Sequence, residues 1–315
     1  MNRKKPLVVV LSRNYSTGLS VIRSLGSVGY TVDLIASANK EGRSNWIASS
    51  KYVNRFVEII SEKVKGDTDN ILLEELLTYA GKYDVKPVLF PTDDYTTSVM
   101  DVNRSVLDDI FIMPYIADGK AGALKHFMDK SVQSVIAAEA GIDVPEEWVI
   151  SLRDDEIEIP EDIIYPCYCK PIESSLGYKQ EMRVCMDRDE LASYLHHLRD
   201  FYPERSFLVQ EYLEIDEEID LEGVCLDQEI ILPAIIWKRI VAQYDKGVPL
   251  AGKTYPAEKL GEIMDKVINM LKTFHYYGMF DLGLNIVNGR IYFNEINMRS
   301  GGTNFVYFRS GVNLP

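Results

Sequence analysis

Gly278–Gly302 reads GMFDLGLNIVNGRIYFNEINMRSGG, and the way its two halves pair sets the architecture of the whole chain. The stretch pairs two strands around a tight turn near Asn288-Gly289 and loads the second with Glu295, Asn297 and Arg299. Residues two apart on a strand share a face, so Glu295 and Asn297 project together, and Arg299 just beyond the strand can follow them. Two oxygen ligands beside a fixed cation suit a magnesium-bound phosphate.

The register follows from the turn. If Asn288-Gly289 alone is the loop, Glu295 lies opposite Leu282 and a carboxylate faces an apolar row. A three-residue loop, Val287 to Gly289 with Gly289 at positive φ, moves the pairing by one and sets Asp281 across from Glu295. Asp281 and Asn285 then join Glu295 and Asn297, while Phe280, Leu282, Leu284 and Ile286 turn toward a core. The three-residue loop is the expectation, with Asp281, Glu295 and Asn297 either a metal-binding set or the polar face of a solvent-facing hairpin.

Composition narrows the classes. The chain has 315 residues, 46% hydrophobic and 26% charged, which is ordinary for a folded protein with two or three domains. A net charge of -14 repels phosphate backbones and anionic lipid, so neither nucleic acid nor a membrane is an expected partner. No apolar run approaches the ~20 residues of a membrane span. The opening MNRKKPLVVVLS has an apolar run of only five residues and no small-residue cleavage site, which reads as a first strand of a cytoplasmic protein. Cys167, Cys169, Cys185 and Cys225 form no CxxC and read as buried thiols. His196-His197 lies on a helix, where exposure accounts for it better than zinc does.

Strands and helices alternate from Leu7 to about Ile116, which predicts a small doubly wound parallel-sheet α/β domain. Ligand loops of such a sheet would be Ser12–Gly18 and Pro91–Asp94. The first holds a single glycine, and Asp33 lies inside the second strand, so a dinucleotide fingerprint is missing and a dehydrogenase is disfavoured. Helices are expected over Asp118–Phe127 and Asp129–Ala140, with Asp129 as N-cap and Lys130 in the first turn. A strand-rich α+β region follows, with a helix over Arg188–Asp200 capped by Asp187 and Glu190. Pro256 is expected to open a long amphipathic helix that Gly278 ends.

Lys170 closes the strand YPCYCK beside the loop ESSLGYKQ. With Ser174, Ser175, Gly177 and Lys179 that loop can cradle phosphate, although its single glycine serves a plain hairpin equally well. Lys130 sits where the helix dipole disfavours a cation, which suits an anion to be neutralised, or a snorkelling surface lysine. The strand FLVQEYLE ends in Glu211, Tyr212 and Leu213, whose backbone could read an adenine edge, and Glu218 could accept ribose hydroxyls. Lys238, Arg239 and Arg309 could clamp a carboxylate, with Arg13, Asp93 and Asp94 on the acceptor side.

The order DK, strand-KP, Ser/Gly loop, VQEYLE, acidic strand, long helix, FDLGL, NEINMR resembles the ATP-grasp superfamily, from about Asp118 to the C-terminus. Its ending is similar to D-aspartate ligase-like and carbamoyl phosphate synthase large-subunit-like ligases. The resemblance implies an α/β domain over 1–117, a small lid region over 118–212 and a catalytic α+β region of mixed or antiparallel sheets over 213–315. Such chains usually continue past Pro315, so the last region reads as a shortened form, a split gene product or a natural minimal form.

The cofactors implied are ATP and Mg2+. Lys130 and Lys170 would bind phosphates under the loop Ser174–Lys179, Glu211, Tyr212 and Leu213 would meet adenine, and Glu218 would hold ribose. Glu295 and Asn297 would bind metal, with Glu295 and Arg299 catalytic. The implied reaction is ATP-dependent activation of a carboxylate for attack by an amine, on small-molecule substrates, in a chain that could pair as a homodimer. The alternatives are a carbamoyl-phosphate-synthase-like enzyme using bicarbonate and a non-catalytic ATP-binding module. Gly283 departs from the pattern, because such ligases commonly carry an acidic metal ligand there.

Overall fold

The computed structural model describes residues 5–13, 15–37, 46–59, 68–80, 85–117, 119–154, 156–172, 181–241 and 249–315. The apolar run at the N-terminus becomes β1 (Leu7–Ser12), in the middle of a four-stranded sheet. It is flanked by α1 (Tyr15–Ser27), β2 (Thr31–Ser37), β3 (Val53–Ile59), α2 (Thr68–Ala80), β4 (Val88–Pro91) and α3 (Asp94–Val102). The strands lie in the order β3-β2-β1-β4, all parallel. Val8 and Val10 pack under Val21, Ile22 and Leu25 of α1, whereas Val9 and Leu11 face Leu72 and Leu76 of α2 and Met100 of α3. Helices on both faces leave these strands no wet side, which is why β1 reads as an unbroken apolar run. Asp33 is fully buried within β2, held by Asn54 Nδ2 and Tyr79 OH, a structural role as its position in the strand implied.

The short helix α4 (Arg104–Leu107) leads to β5 (Tyr115–Ile116), and α5 (Ala123–His126) precedes α6 (Lys130–Glu139). The helix expected over Asp118–Phe127 is therefore only one turn long, Asp118 itself lying outside the described residues. Asp129 caps α6 as expected, accepting hydrogen bonds from the amides of Ser131 at 2.8 Å and Val132 at 3.4 Å.

A second, antiparallel sheet contains β6 (Glu147–Ser151), β7 (Cys167–Pro171), β8 (Arg183–Cys185) and β9 (Ser206–Glu211), in the order β6-β9-β7-β8. Cys167, Cys169 and Cys185 are buried free thiols in its core, beneath Leu191, Leu195 and Leu198 of α7 (Arg188–Phe201). Asp187 caps α7 through the Glu190 amide, and the Glu190 carboxylate reaches back to the Met186 amide, both at 2.9 Å. His196 and His197 are exposed on α7.

The third sheet is built from β10 (Glu217–Leu226), β11 (Glu229–Ile231), β12 (Ala234–Val241), β13 (Pro249–Pro256), β14 (Tyr276–Val287) and β15 (Arg290–Asn297), with β5 pairing β14. Between β13 and β14 the expected long helix is broken. A 3-10 turn over Ala257–Leu260 ends at Gly261, whose φ of 60° takes the chain out of helix, and α8 is confined to Ile263–Thr273. Gly278 does not end it. The helix stops before His275, at φ 47°, and Gly278 lies inside β14, which starts early because Tyr276 and Tyr277 pair with β5. The core faces of α6 and α8 cover one side of this sheet through Ile136, Ala137, Val267 and Leu271, and α9 (Asn304–Arg309) follows β15. Among the described residues, no helix is long and apolar enough to cross a membrane.

Candidate active site

The hairpin of β14 and β15 corrects the expected register. Val287 pairs with Arg290, so the loop is the two residues Asn288 and Gly289, at φ 50° and 77°. Positive φ at both loop positions matches the twist of the flanking strands better than a longer loop would. The three-residue loop and the pairing of Asp281 with Glu295 are thus both overturned. The extra residue sits inside β15 instead. Leu284 pairs with Phe293 and Gly283 with Glu295, leaving Asn294 as a bulge. One inserted residue restores the parity wherever it is placed, so Asp281, Glu295 and Asn297 still share a face, Asn285 stands farther along the same side of β14, and Phe280, Leu282 and Leu284 are still buried in the core.

Two buried lysines converge near Glu295. Lys130 opens α6 and Lys170 lies near the end of β7; each is only 5% exposed. The Lys130 ammonium reaches the Pro171 carbonyl at 3.4 Å, which ties the helix start to the strand end. Burial lowers the Lys170 pKa to about 8, and the charge of Lys130 adds to the effect, against Glu295 and Glu147. Burial alone would push Glu295 up, but Lys130, Lys170 and Arg299 outweigh it and hold the carboxyl below its usual value. Glu147 on β6 goes the other way: burial raises it, although it accepts hydrogen bonds from Ser134 and Gln210 and feels Lys170.

Gln133, one turn after Lys130, explains how the helix meets the hairpin. Its amide donates to the Ile296 carbonyl at 2.7 Å and accepts from the Ile296 amide at 3.1 Å, and it also donates to Phe127 O at 2.8 Å. This side chain pins α6 to β15 beside Glu295, and so fixes Lys130 against the hairpin.

Arg299 is clamped from two sides. Its guanidinium meets Asp281 at 3.0 Å and Asp94, the first residue of α3, at 3.0 Å, joining the hairpin to the parallel sheet. Asp93 caps α3 and accepts from the Arg13 amide at 2.7 Å. The Asn297 amide group donates to Asp281 at 3.3 Å and hydrogen-bonds Glu295, so its oxygen is the atom left to act as a ligand. Behind them, Glu222 on β10 is fully buried opposite Asp281 and accepts from the Gly301 amide at 3.1 Å and the Thr303 hydroxyl at 2.8 Å. Burial and the neighbouring Asp281 push Glu222 up to about 8, and burial likewise raises Asp281 against the pull of Arg299. Lys238 bridges Asp220 at 2.7 Å and Glu218 at 3.3 Å on the same face.

The site residues expected from sequence thus divide. Lys130, Lys170, Asp281, Glu295, Asn297 and Arg299 are brought together. Ser174, Ser175, Gly177 and Lys179 lie outside the described residues, as does the side chain of Arg239. At the end of β9 the amides of Glu211 and Tyr212 donate to Glu146 and Pro166 at 2.9 and 3.1 Å, which takes up these two N–H groups of the segment expected to meet adenine. Glu218 is paired with Lys238, and Arg309 is exposed. Gln133, Glu147 and Glu222 were not read as site residues. Gln133 and Glu222 are buried and Glu147 is half-buried, and no local motif announces a polar side chain that the fold encloses.

No family model matches the chain. Over 190 residues, 59% of its length, it is 23% identical to the carbamoyl phosphate synthase large chain, C-terminal section, of Methanocaldococcus jannaschii, of which this covers 30%. The chain therefore spans less than a third of that relative. Across 99% of the chain, its structure superposes on the L-amino acid ligase from Bacillus licheniformis with a TM-score of 0.70 at 14% identity, covering 73% of that protein. The fold is the ATP-grasp fold. A second ATP-grasp neighbour is the biotin carboxylase domain dimer of Hydrogenobacter thermophilus 2-oxoglutarate carboxylase, solved with MgADP, ADP and bicarbonate. It matches with a TM-score of 0.68 at 16% identity, over 98% of this chain and 70% of that one. In the ATP-grasp fold of the present chain, no three His, Cys, Asp or Glu side chains among the described residues gather as a metal cluster.

Proposed function

We propose that the chain is an ATP-dependent ligase that activates a small-molecule carboxylate for attack by an amine, using ATP and Mg2+. The observation that carries this reading is the pair of buried lysines facing Glu295 and Arg299. Arg299 is balanced by Asp94 and Asp281, but Lys130 and Lys170 are two buried ammonium groups close enough to repel each other, a pairing that an anion such as a polyphosphate would relieve. Glu295 and the Asn297 oxygen are hard donors and fit Mg2+, which supplies charge neutralisation on the phosphates when bound. Asp281, committed to Arg299 and Asn297, would orient the guanidinium more than ligate metal.

In this reading Lys130 and Lys170 hold phosphate oxygens. Because the Tyr212 amide points into the sheet, successive groups alternate, and the Glu211 carbonyl and Leu213 amide would face the adenine edge. Glu218 would reach ribose only by sharing with Lys238. The substrate carboxylate oxygen attacks the γ-phosphorus and ADP leaves; the amine then attacks the acyl carbon, losing a proton as phosphate departs. Arg299 stabilises the charge that moves onto the transferring group. Regions 1–117, 118–212 and 213–315 would act as partner domain, lid and catalytic region, although α6, within the second, packs on the third sheet. A homodimer belongs to the same reading.

The carbamoyl phosphate synthase similarity favours a second reading, in which the acid activated is bicarbonate. Release of ADP in the presence of Mg-ATP separates the two. ADP formed only with a paired organic acid and amine supports the first, and ADP formed with bicarbonate alone supports the second. No ADP release with any acid overturns both.

A further inference from the structure

Gly283 pairs with Glu295 across the hairpin and offers no side chain to the face that carries Glu295 and Asn297. The space above it belongs to Asn294. A Cβ built on Gly283 would come within 3.3 Å of Asn294 Nδ2 and 3.6 Å of Asn294 Cβ. In a regular strand Asn294 would face away from Glu295. The bulge gives the sequence Phe293, Asn294, Glu295, Ile296 the pattern core, out, out, core: Phe293 and Ile296 are 3% and 2% exposed, and the two polar residues between them stand on one side. A bulge next to a functional residue is a recurrent way of aiming a side chain.

We propose that Asn294 is a ligand to the divalent cation of the nucleotide complex, its amide oxygen acting beside Glu295 and Asn297. The inference rests on the nucleotide-binding reading above. It accounts for three features together. The glycine at 283 leaves the room that the Asn294 amide fills, the bulge puts that amide on the ligand face, and Asp281 is already held by Arg299 and Asn297. The resulting donor set has one carboxylate and two amides, all hard oxygens. Its low negative charge means the cation binds appreciably only together with the nucleotide's phosphates.

The test is Mn2+ binding, followed by electron paramagnetic resonance of free Mn2+ in the presence of saturating ADP, on the full chain. Asn294 is exposed, so its variants should fold, and circular dichroism checks that they do. Asn294→Ala is expected to weaken Mn2+ by about tenfold, the scale on which metal-site side chains act, and Asn294→Asp to tighten it, since the added charge sits on the metal. ADP binding without metal should be the same in all three proteins. Mn2+ affinities of both variants within about twofold of wild type would overturn the assignment while leaving the nucleotide reading intact. Absence of Mn2+ binding by the wild type with bound ADP would overturn both.

Discussion

One face of the large sheet holds two buried clusters of opposite balance, a few residues apart. Around Glu295, burial pushes the carboxyl up, but the nearby charges of Lys130, Lys170 and Arg299 outweigh it and hold the group below its usual pKa. Around Glu222 acids are in excess: Asp281 and Asp220 lie next to it, and Glu222 is pushed up to about 8. Glu222 is fully buried and Glu295 partly so, and burial pushes both upward, so burial does not account for their opposite shifts. The sign of the fixed charge around each does. In the proposed function the ionised carboxylate lies beside the lysines that would hold an anion, whereas Glu222 accepts hydrogen bonds from the Gly301 amide and the Thr303 hydroxyl behind Arg299.

Removing the anion from the cation-rich end should have the largest effect. Glu295→Ala is expected to lower ADP release by roughly 100-fold or more, with nucleotide affinity without metal unchanged or improved, as steady-state assay and calorimetry would show. Unaltered turnover would sink the metal assignment. Unpinning the same end is next. Gln133→Leu strands the buried amide and carbonyl of Ile296 and should cost roughly 2–3 kcal/mol in urea unfolding, leaving the acid-rich cluster as it is.

The charge of Lys170 can be titrated. Phosphate binding raises the pKa of a lysine that starts at about 8, so nucleotide binding takes up a proton above that pH. Affinity should therefore fall by up to about tenfold per pH unit above pH 8. Lys170→Arg, always charged, should flatten that slope. The acid-rich end gives the smallest effect. Glu222 binds its proton more tightly folded than unfolded, so its contribution to stability is full below its ordinary pKa and is lost as pH rises toward 8. An amide at 222 can accept from Gly301 and donate to the Thr303 hydroxyl without titrating. Glu222→Gln should therefore gain in melting temperature relative to wild type between pH 5 and pH 8, and an equal offset at both would assign the proton elsewhere.

The hairpin shows how far sequence carries. Parity alone required one extra residue between Leu282 and Glu295 if the carboxylate was to leave the apolar face, and that inference survives. Parity does not say where the residue goes. Asn288-Gly289 satisfies its turn locally, so the insertion fell at Asn294, where only the twist of the assembled sheet and the packing of Phe293 and Ile296 could place it. Lys130, Lys170 and Arg299 were legible because each sits at an element boundary that a cap, a proline or a strand end marks. Gln133 was not, because it bonds a backbone 163 residues away in sequence. The helix after Pro256 failed for a related reason: its apolar spacing continues across Gly261, and the spacing does not record that the backbone breaks there.

If Lys130 and Lys170 form the proposed binding site for Mg-nucleotide, the ligand should stabilise the fold through them. Thermal unfolding of the wild-type chain and of Lys170→Ala, each with and without Mg-ATP, tests it most directly. A ligand at 100 times its dissociation constant adds about 2.7 kcal/mol. A clear rise in melting temperature for the wild type, and little or none for Lys170→Ala, is the result expected. No rise in the wild type, or an equal rise in both, would contradict the account.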